Sequence, residues 1–304
     1  MLTRESRSGS CPICGSGAAK AQLGHRDIYE VVRCDSCRHS YVWEMPTSDV
    51  LSRVYSRYSY DADGALENVP SFLMPVLARL VESFGPFRRT NRLLDIGFGA
   101  GALLRAAQEK GWDAHGIETS QAAVEQARRH GLAAAQCGDF LTAPLSSRPY
   151  DVVIMSELVE HLPRPLPFLQ RAREVVAEGG VLYLTTPHGS GLSARMLGVA
   201  WSVCAPPEHL HLFSVTSMRI ALEASGFTDV KINTRGLHPH ELVAQAKSWL
   251  GSNRRSNPPS RVESSYRLNE ALTRTPTRRA LKWTANAILN ATRMGDGLAV
   301  WARP

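Results

Sequence analysis

The sequence contains no run of eighteen apolar residues. The nearest approach, Met196 to Pro206, is too short for a bilayer core that needs about 20. It also lacks a charged start followed by an apolar stretch, since the first ten residues are polar and charged, which argues against a secretory signal. No internal repeat is visible. Acids are scarce in one place: between Gly251 and Lys282, eight basic residues face only Glu263 and Glu270, so most of the net charge of +7 is local. These absences point to a cytosolic globular protein. With 43% hydrophobic and 21% charged residues over 304 positions, it can build one α/β core and carry a small accessory module.

Of six cysteines, four form two C-x2-C pairs, Cys11/Cys14 and Cys34/Cys37, separated by 19 residues. Without an export signal, such pairs read as metal ligands rather than disulfides. Four thiolates on two knuckles make the closed tetrahedral set of structural Zn2+, with no position open for chemistry. The metal would supply folding energy to residues 1–45, a zinc ribbon too small for its own core. Cys137 and Cys204 read as reduced and structural.

A connector with N-terminal helices (46–90) follows, with a helix expected over 71–84. From Arg92, strands alternate with amphipathic helices, the pattern of a parallel sheet with helices on its faces. Strands are expected at 92–97, 113–118, 133–138, 151–156, 181–186, 229–235 and 297–302. Helices are expected at 102–110, 120–130 and 167–177, and from Ser214 or Thr216 to Gly226. A helical insertion, 237–293, separates the last two strands; in it, Trp249 and Trp283 fall on apolar helical faces and read as packing residues.

The first strand of this series runs into Asp95-Ile96-Gly97-Phe98-Gly99-Ala100-Gly101. Glycines there let the backbone turn tightly and approach a ligand closely. Alone, the string also suits a dinucleotide. Asp95 can accept from an ammonium group or a water, Glu118 can take both ribose hydroxyls, and Asp139-Phe140 offers an acceptor for an adenine amine and a wall for its ring. Glu118 and Asp139 could instead be plain polar strand ends, but the joint placement at three successive strand ends makes coincidence poor.

LLDIGFGAG, HGIETS, GDF, YDVVIMSELVEHLPRP and VLYLTTP, in this order and spacing, resemble the class I S-adenosylmethionine-dependent methyltransferases. Within that class the resemblance is to the bacterial branch of ubiquinone-type and sugar methyltransferases with an N-terminal zinc-binding region. It implies a Rossmann-like seven-strand sheet of order 3-2-1-4-5-7-6 with an antiparallel last strand, over residues 91–304. It assigns Asp95, Gly97, Gly99, Gly101, Glu118, Asp139 and Phe140 to S-adenosyl-L-methionine and puts Ser156 beside the sulfonium.

Glu157-Leu158-Val159-Glu160-His161 then faces the methyl group. A hydroxyl acceptor must lose a proton, for which His161 is the first candidate base, with Glu160 beside it. In ubiquinone-type relatives an E-x-x-E-H string here binds a divalent metal, matched by Glu157, Glu160 and His161; a metal-free base is preferred over Mg2+. Helix capping is the plainer reading of Glu160 and His161. His209 and His211, on one face of an extended loop, are expected to line the acceptor pocket, with His209 a second base or hydrogen-bond partner.

The expected activity is O-methylation of a sugar, glycan or other small hydroxylated metabolite. C-methylation of a nucleotide-linked keto-sugar and a non-methylating, dehydrogenase-like module are the alternatives. The basic insertion reads as a solvated face, as a nucleic-acid surface (disfavoured, since no aromatics are interleaved for stacking), or as an attractor for an anionic acceptor or an anionic membrane surface. Arg254, Arg255, Arg278 and Arg279 would face the pocket mouth in the last case.

Overall fold

The computed structural model describes residues 9–17, 20–55, 69, 73–145, 149–237 and 275–304. The expected helix 238–250 with Trp249, the polar stretch 251–266 and the arginines at 254 and 255 lie outside them, as does the start of the 71–84 helix.

The N-terminal part forms β1 (Lys20–Arg26), β2 (Tyr29–Cys34) and β3 (Ser40–Val42), followed by α1 (Ser48–Tyr55) and α2 (Leu73–Ser83). The alternating region runs β4 (Arg92–Ile96), α3 (Ala102–Glu109), β5 (Asp113–Glu118), α4 (Gln121–Arg129), β6 (Ala135–Cys137), β7 (Tyr150–Ser156), α5 (Pro165–Val175) and β8 (Val176–Pro187). It continues with α6 (Leu192–Leu197), β9 (His211–Leu212), α7 (Val215–Ala224), β10 (Asp229–Arg235), α8 (Pro276–Ala291) and β11 (Gly297–Arg303).

Seven strands make one sheet in the order β6-β5-β4-β7-β8-β11-β10, which is the expected 3-2-1-4-5-7-6. Neighbours from β6 to β8 are parallel, and β11 runs antiparallel to both β8 and β10. The pleat sorts the apolar runs onto two faces. Leu93, Val152, Ile154, Val181 and Tyr183 pack with Leu103 and Ala107 of α3 and Val81 of α2. Leu94, Ile96, Val153, Met155, Leu182 and Leu184 pack with Leu169 of α5 and Met218 and Leu222 of α7. Local signals set the helix ends. The Ser120 side chain accepts from the Ala123 amide, and Ser214 and Ser217 form a reciprocal capping pair at the start of α7.

Three expectations need correction. Helix α5 begins at Pro165 rather than Pro167, because Pro165 itself suits the first helical position. Strand β8 begins at Val176 rather than 181: Gly179 (φ +76°) and Gly180 sit in a bulge where the pairing shifts from Tyr150↔Val176 to Val152↔Val181, and a Cβ on Gly180 would come 2.7 Å from the Asp151 carbonyl oxygen. Trp283 is not a packing residue; it is 74% exposed, because α8 attaches to β10 through Asn286 and Asn290, whose side chains accept from Gly236 and Thr234 amides.

The N-terminal sheet has a fourth strand that spacing did not foretell. It is β9, giving the order β1-β2-β3-β9, with Ser40 opposite Leu212 and Tyr41 opposite His211.

Candidate active site and cysteine cluster

Ser156, Asp95 and Glu118 stand at the carboxyl ends of the adjacent strands β7, β4 and β5, and Asp139 follows β6 just beyond its end. The strand order reverses between β4 and β7, where open α/β sheets leave a crevice for ligands. Gly97, Gly99 and Gly101 all have positive φ (70°, 53° and 78°), which bends the chain from β4 into α3. A Cβ on Gly97 would lie 2.9 Å from Leu158, so the glycine turn and the Glu157–His161 segment are packed together.

Glu118 does more than end a strand. One carboxylate oxygen accepts from the Gly99 amide at 3.1 Å, and the other accepts from the Thr119 and Ser120 amides at 2.7 and 3.1 Å. The carboxylate therefore braces the glycine turn from the neighbouring strand. Asp95 is buried, and burial first, then the charge of Glu118, pushes its carboxyl up to about 8. Asp139 is exposed and accepts from the Leu141 amide at 2.9 Å. Phe140, expected as an aromatic wall, is buried; its ring packs on Phe168 (5.9 Å) and under the Arg171 guanidinium (5.5 Å). Ser156 shares a 3.0 Å hydrogen bond with Thr185.

Asp151 escaped the sequence reading. It is buried and accepts from the amides of Arg89, Thr90 and Asn91 at 2.7, 2.7 and 2.8 Å, fixing the loop that launches β4. Its only sequence signal is an acid inside an apolar strand, which needs partners when buried.

After β7, Glu157 adopts φ +50° and turns the chain, and Glu160 goes fully inside. One Glu160 oxygen accepts from the Thr186 hydroxyl at 2.9 Å, while the other, Oε1, has no hydrogen-bond partner among the described residues. Burial first, then Glu157, raises this carboxyl well above the usual range. His161 Nδ1 bonds the Glu208 carbonyl at 2.9 Å, and His209 Nδ1 bonds the Val203 carbonyl at 2.7 Å, so both rings carry their proton on Nδ1. The rings meet edge to face at 4.7 Å. Burial lowers the His161 pKa, partly offset by its bond to Glu208.

The metal-capable set the structure gathers here is Glu160, His161 and His209, with ligand atoms within 4.8 Å of one another. This differs from the E-x-x-E-H expectation: among the described residues, Glu157 is not in that set. His211 is a second correction. Unlike His209, which follows the turn over 206–208, it lies in β9 of the N-terminal sheet, fully buried, with Nδ1 3.0 Å from His39 Nε2.

The four N-terminal cysteines converge with all sulfurs within 4.8 Å. Cys11 and Cys37 are 3.7 Å apart and Cys14 and Cys34 3.8 Å. A tetrahedron with metal–sulfur bonds of about 2.3 Å has edges of about 3.8 Å, so the spacing fits a metal. A disulfide would need about 2.05 Å. The knuckles are alike: Gly15 and Arg38, each with positive φ (67° and 61°), return their amides to the carbonyls of Cys11 and Cys34.

With fold and site in place, the architecture is that of an S-adenosylmethionine-dependent methyltransferase. The methyltransferase domain family matches residues 66–232, more than half of the chain, and the chain belongs to that family. Among curated proteins, it is 22% identical over 195 residues to a ubiquinone biosynthesis O-methyltransferase of Idiomarina loihiensis, covering 60% of this chain and 79% of that one. A protein of the same name from Leptothrix cholodnii is 32% identical over 103 residues, 31% of this chain and 43% of that one. In fold it is similar to phosphoethanolamine N-methyltransferase 2 of Haemonchus contortus, solved with S-adenosyl-L-methionine. That TM-score is 0.50 at 14% identity, over 87% of this chain and 62% of that one. Family membership sets aside the dehydrogenase-like alternative. Among the described residues, no helix is long and apolar enough to cross a membrane.

Proposed function

We propose that the enzyme methylates a hydroxyl oxygen of a sugar, glycan or other small hydroxylated metabolite, with His161 as the general base. The observation that carries this reading is the bond from His161 Nδ1 to the Glu208 carbonyl, which fixes the tautomer and makes Nε2 the basic nitrogen. Burial keeps the ring neutral near pH 7, the state that accepts a proton. Bound S-adenosyl-L-methionine supplies an electrophilic methyl group. Asp95 takes its ammonium, Glu118 its ribose hydroxyls and Asp139 its adenine amine, while Gly97, Gly99 and Gly101 allow close backbone approach and Ser156 borders the sulfonium end. Phe140 supports the Asp139 turn from beneath. His209 orients the acceptor hydroxyl beside His161, and Glu160, held by Thr186, backs the ring. Cys11, Cys14, Cys34 and Cys37 hold one structural Zn2+. The local excess of arginine and lysine favours an anionic acceptor such as a nucleotide-linked sugar.

The test is transfer of labelled methyl from S-adenosylmethionine to a panel of nucleotide sugars, glycans, catechols and keto-sugars, with product linkage read by NMR. A methyl ether supports the reading. A carbon-bound methyl on a keto-sugar refutes O-methylation and leaves His161 abstracting a carbon-bound proton. One observation favours a second reading: the convergence of Glu160, His161 and His209 suits a divalent cation, and each imidazole has the Nδ1-to-carbonyl bond that metal-binding histidines use. Turnover abolished by EDTA and restored by a divalent metal decides for it.

A further inference from the structure

The N-terminal cysteine cluster and the acceptor side of the site are joined through the protein interior. Cys37 offers its carbonyl to the Ser214 hydroxyl at 2.7 Å, just after β9. Strand β3 pairs with β9, and the Val42 amide donates to the Leu210 carbonyl at 3.0 Å. Leu210 and His211 turn their own amides to the Glu160 carbonyl, at 2.8 and 3.1 Å. Between these main-chain links lies the pair His39 and His211, 172 positions apart in sequence, both fully buried, with rings stacked at 5.1 Å.

The hydrogen bond between the two rings has one donor and one acceptor. The two nitrogens, His39 Nε2 and His211 Nδ1, lie 3.0 Å apart, so an apolar side chain at either position removes the bond. His211 thus joins the two sides, its amide on the Glu160 carbonyl and its ring on His39. His39 belongs to the knuckle itself, since its carbonyl accepts from the Cys34 amide at 2.9 Å.

We propose that the N-terminal module is a positioning device for the acceptor side of the active site, with His39 the positioning residue that acts through His211 on the Glu160–His161 turn. This rests on the reading of Glu160, His161 and His209 as the acceptor-side groups. The cofactor-side residues Asp95, Gly99 and Glu118 stand on β4, β5 and the glycine turn. Loss of the pair therefore disturbs the acceptor side and spares cofactor affinity.

The test needs no acceptor. In protein labelled with 15N at its ten histidines, two-bond proton–nitrogen spectra report which ring nitrogen carries the proton. Wild type should show Nδ1–H at His161 and His209. His39→Phe keeps ring volume but cannot hydrogen-bond. It should blur the His161 signature and raise amide exchange at Leu210 and His211 about tenfold or more, the effect of losing roughly one hydrogen bond. S-adenosylhomocysteine affinity should stay within about twofold, a shift under ~0.5 kcal/mol. His39→Gln, whose side-chain amide reaches the Nε2 position, should restore the wild-type pattern. His39→Leu is read the same way if phenylalanine is not accommodated. Unchanged spectra and exchange in His39→Phe would overturn the proposal, as would a parallel fall in cofactor affinity or a failure of glutamine to rescue. Because methyl transfer is not measured, an error in assigning the base shows separately, as full turnover in His161→Ala.

Discussion

Replacing Glu118 by alanine probes two functions of one carboxylate. In the free protein that group accepts from the Gly99, Thr119 and Ser120 amides and from the Thr119 hydroxyl. Thr119 is exposed, so water replaces its lost bonds at little cost, whereas the Gly99 amide lies in the half-buried glycine turn. In the binding mode proposed above, alanine would also leave two ribose hydroxyls without their acceptor. Together these losses amount to about 1–3 kcal/mol, so affinity for S-adenosylhomocysteine should fall roughly 10- to 100-fold. Glu118→Gln keeps one acceptor oxygen and should lose about 3- to 10-fold. Calorimetric titration measures both, and thermal unfolding of the free variants shows whether the turn has collapsed without ligand. Unchanged affinity in a well-folded Glu118→Ala protein would refute the assignment of the second strand end.

Asp95, with its carboxyl pushed up to about 8, stays protonated near neutrality in the free protein, whereas an unfolded aspartate ionises near 4. The native state thus holds the extra proton between these values, and the Asp95 contribution to stability declines as pH rises from about 4 to about 8 and is level above. Pairing with the cofactor ammonium requires the ionised form, so binding near pH 7 should release up to about one proton, measurable by calorimetry in buffers of different ionisation enthalpy; zero release would contradict the pairing. Gly97→Ala should cost about 1–2 kcal/mol for its left-handed φ and push Leu158 aside, lowering both melting temperature and turnover. Wild-type stability there would mean the turn relaxes freely. Metal analysis of protein purified without added zinc should find about one equivalent per chain, the four-thiolate set. Cys34→Ser should lose that metal and N-terminal order before it loses S-adenosylhomocysteine affinity, and a metal-free but fully folded wild type would sink the zinc assignment. His161→Ala should abolish most turnover on any accepted hydroxyl, and EDTA treatment of wild type separates a plain base from a metal-held one.

What the sequence determined by itself was local or periodic. Near-continuous apolar runs, buried on both faces, specified β4, β7 and most of β8. Ser120 and Ser214 capped their helices as side chains do within three residues of an amide. The glycines after Asp95 announced a turn that only positive φ allows, and the cysteine spacing announced two equivalent knuckles. Each of these rests on interactions between near neighbours in the chain.

Tertiary structure decided whatever depended on partners far away. Asp151 reads as an acid misplaced in an apolar strand until three amides some sixty positions earlier close on it. The glycine pair at 179–180 reads as a break, yet the pairing partner β7 turns it into a bulge inside a longer strand. Trp283 has the spacing of a packing residue, but the attachment of α8 through Asn286 and Asn290 turns it outward. Most tellingly, His209 and His211 are two residues apart and serve different surfaces, one meeting His161 and the other His39. Periodicity can say that two side chains would share a face only if the strand is straight. His209 lies outside β9, and the pairing of β9 with β3, set by contacts across the whole chain, decides which face His211 has.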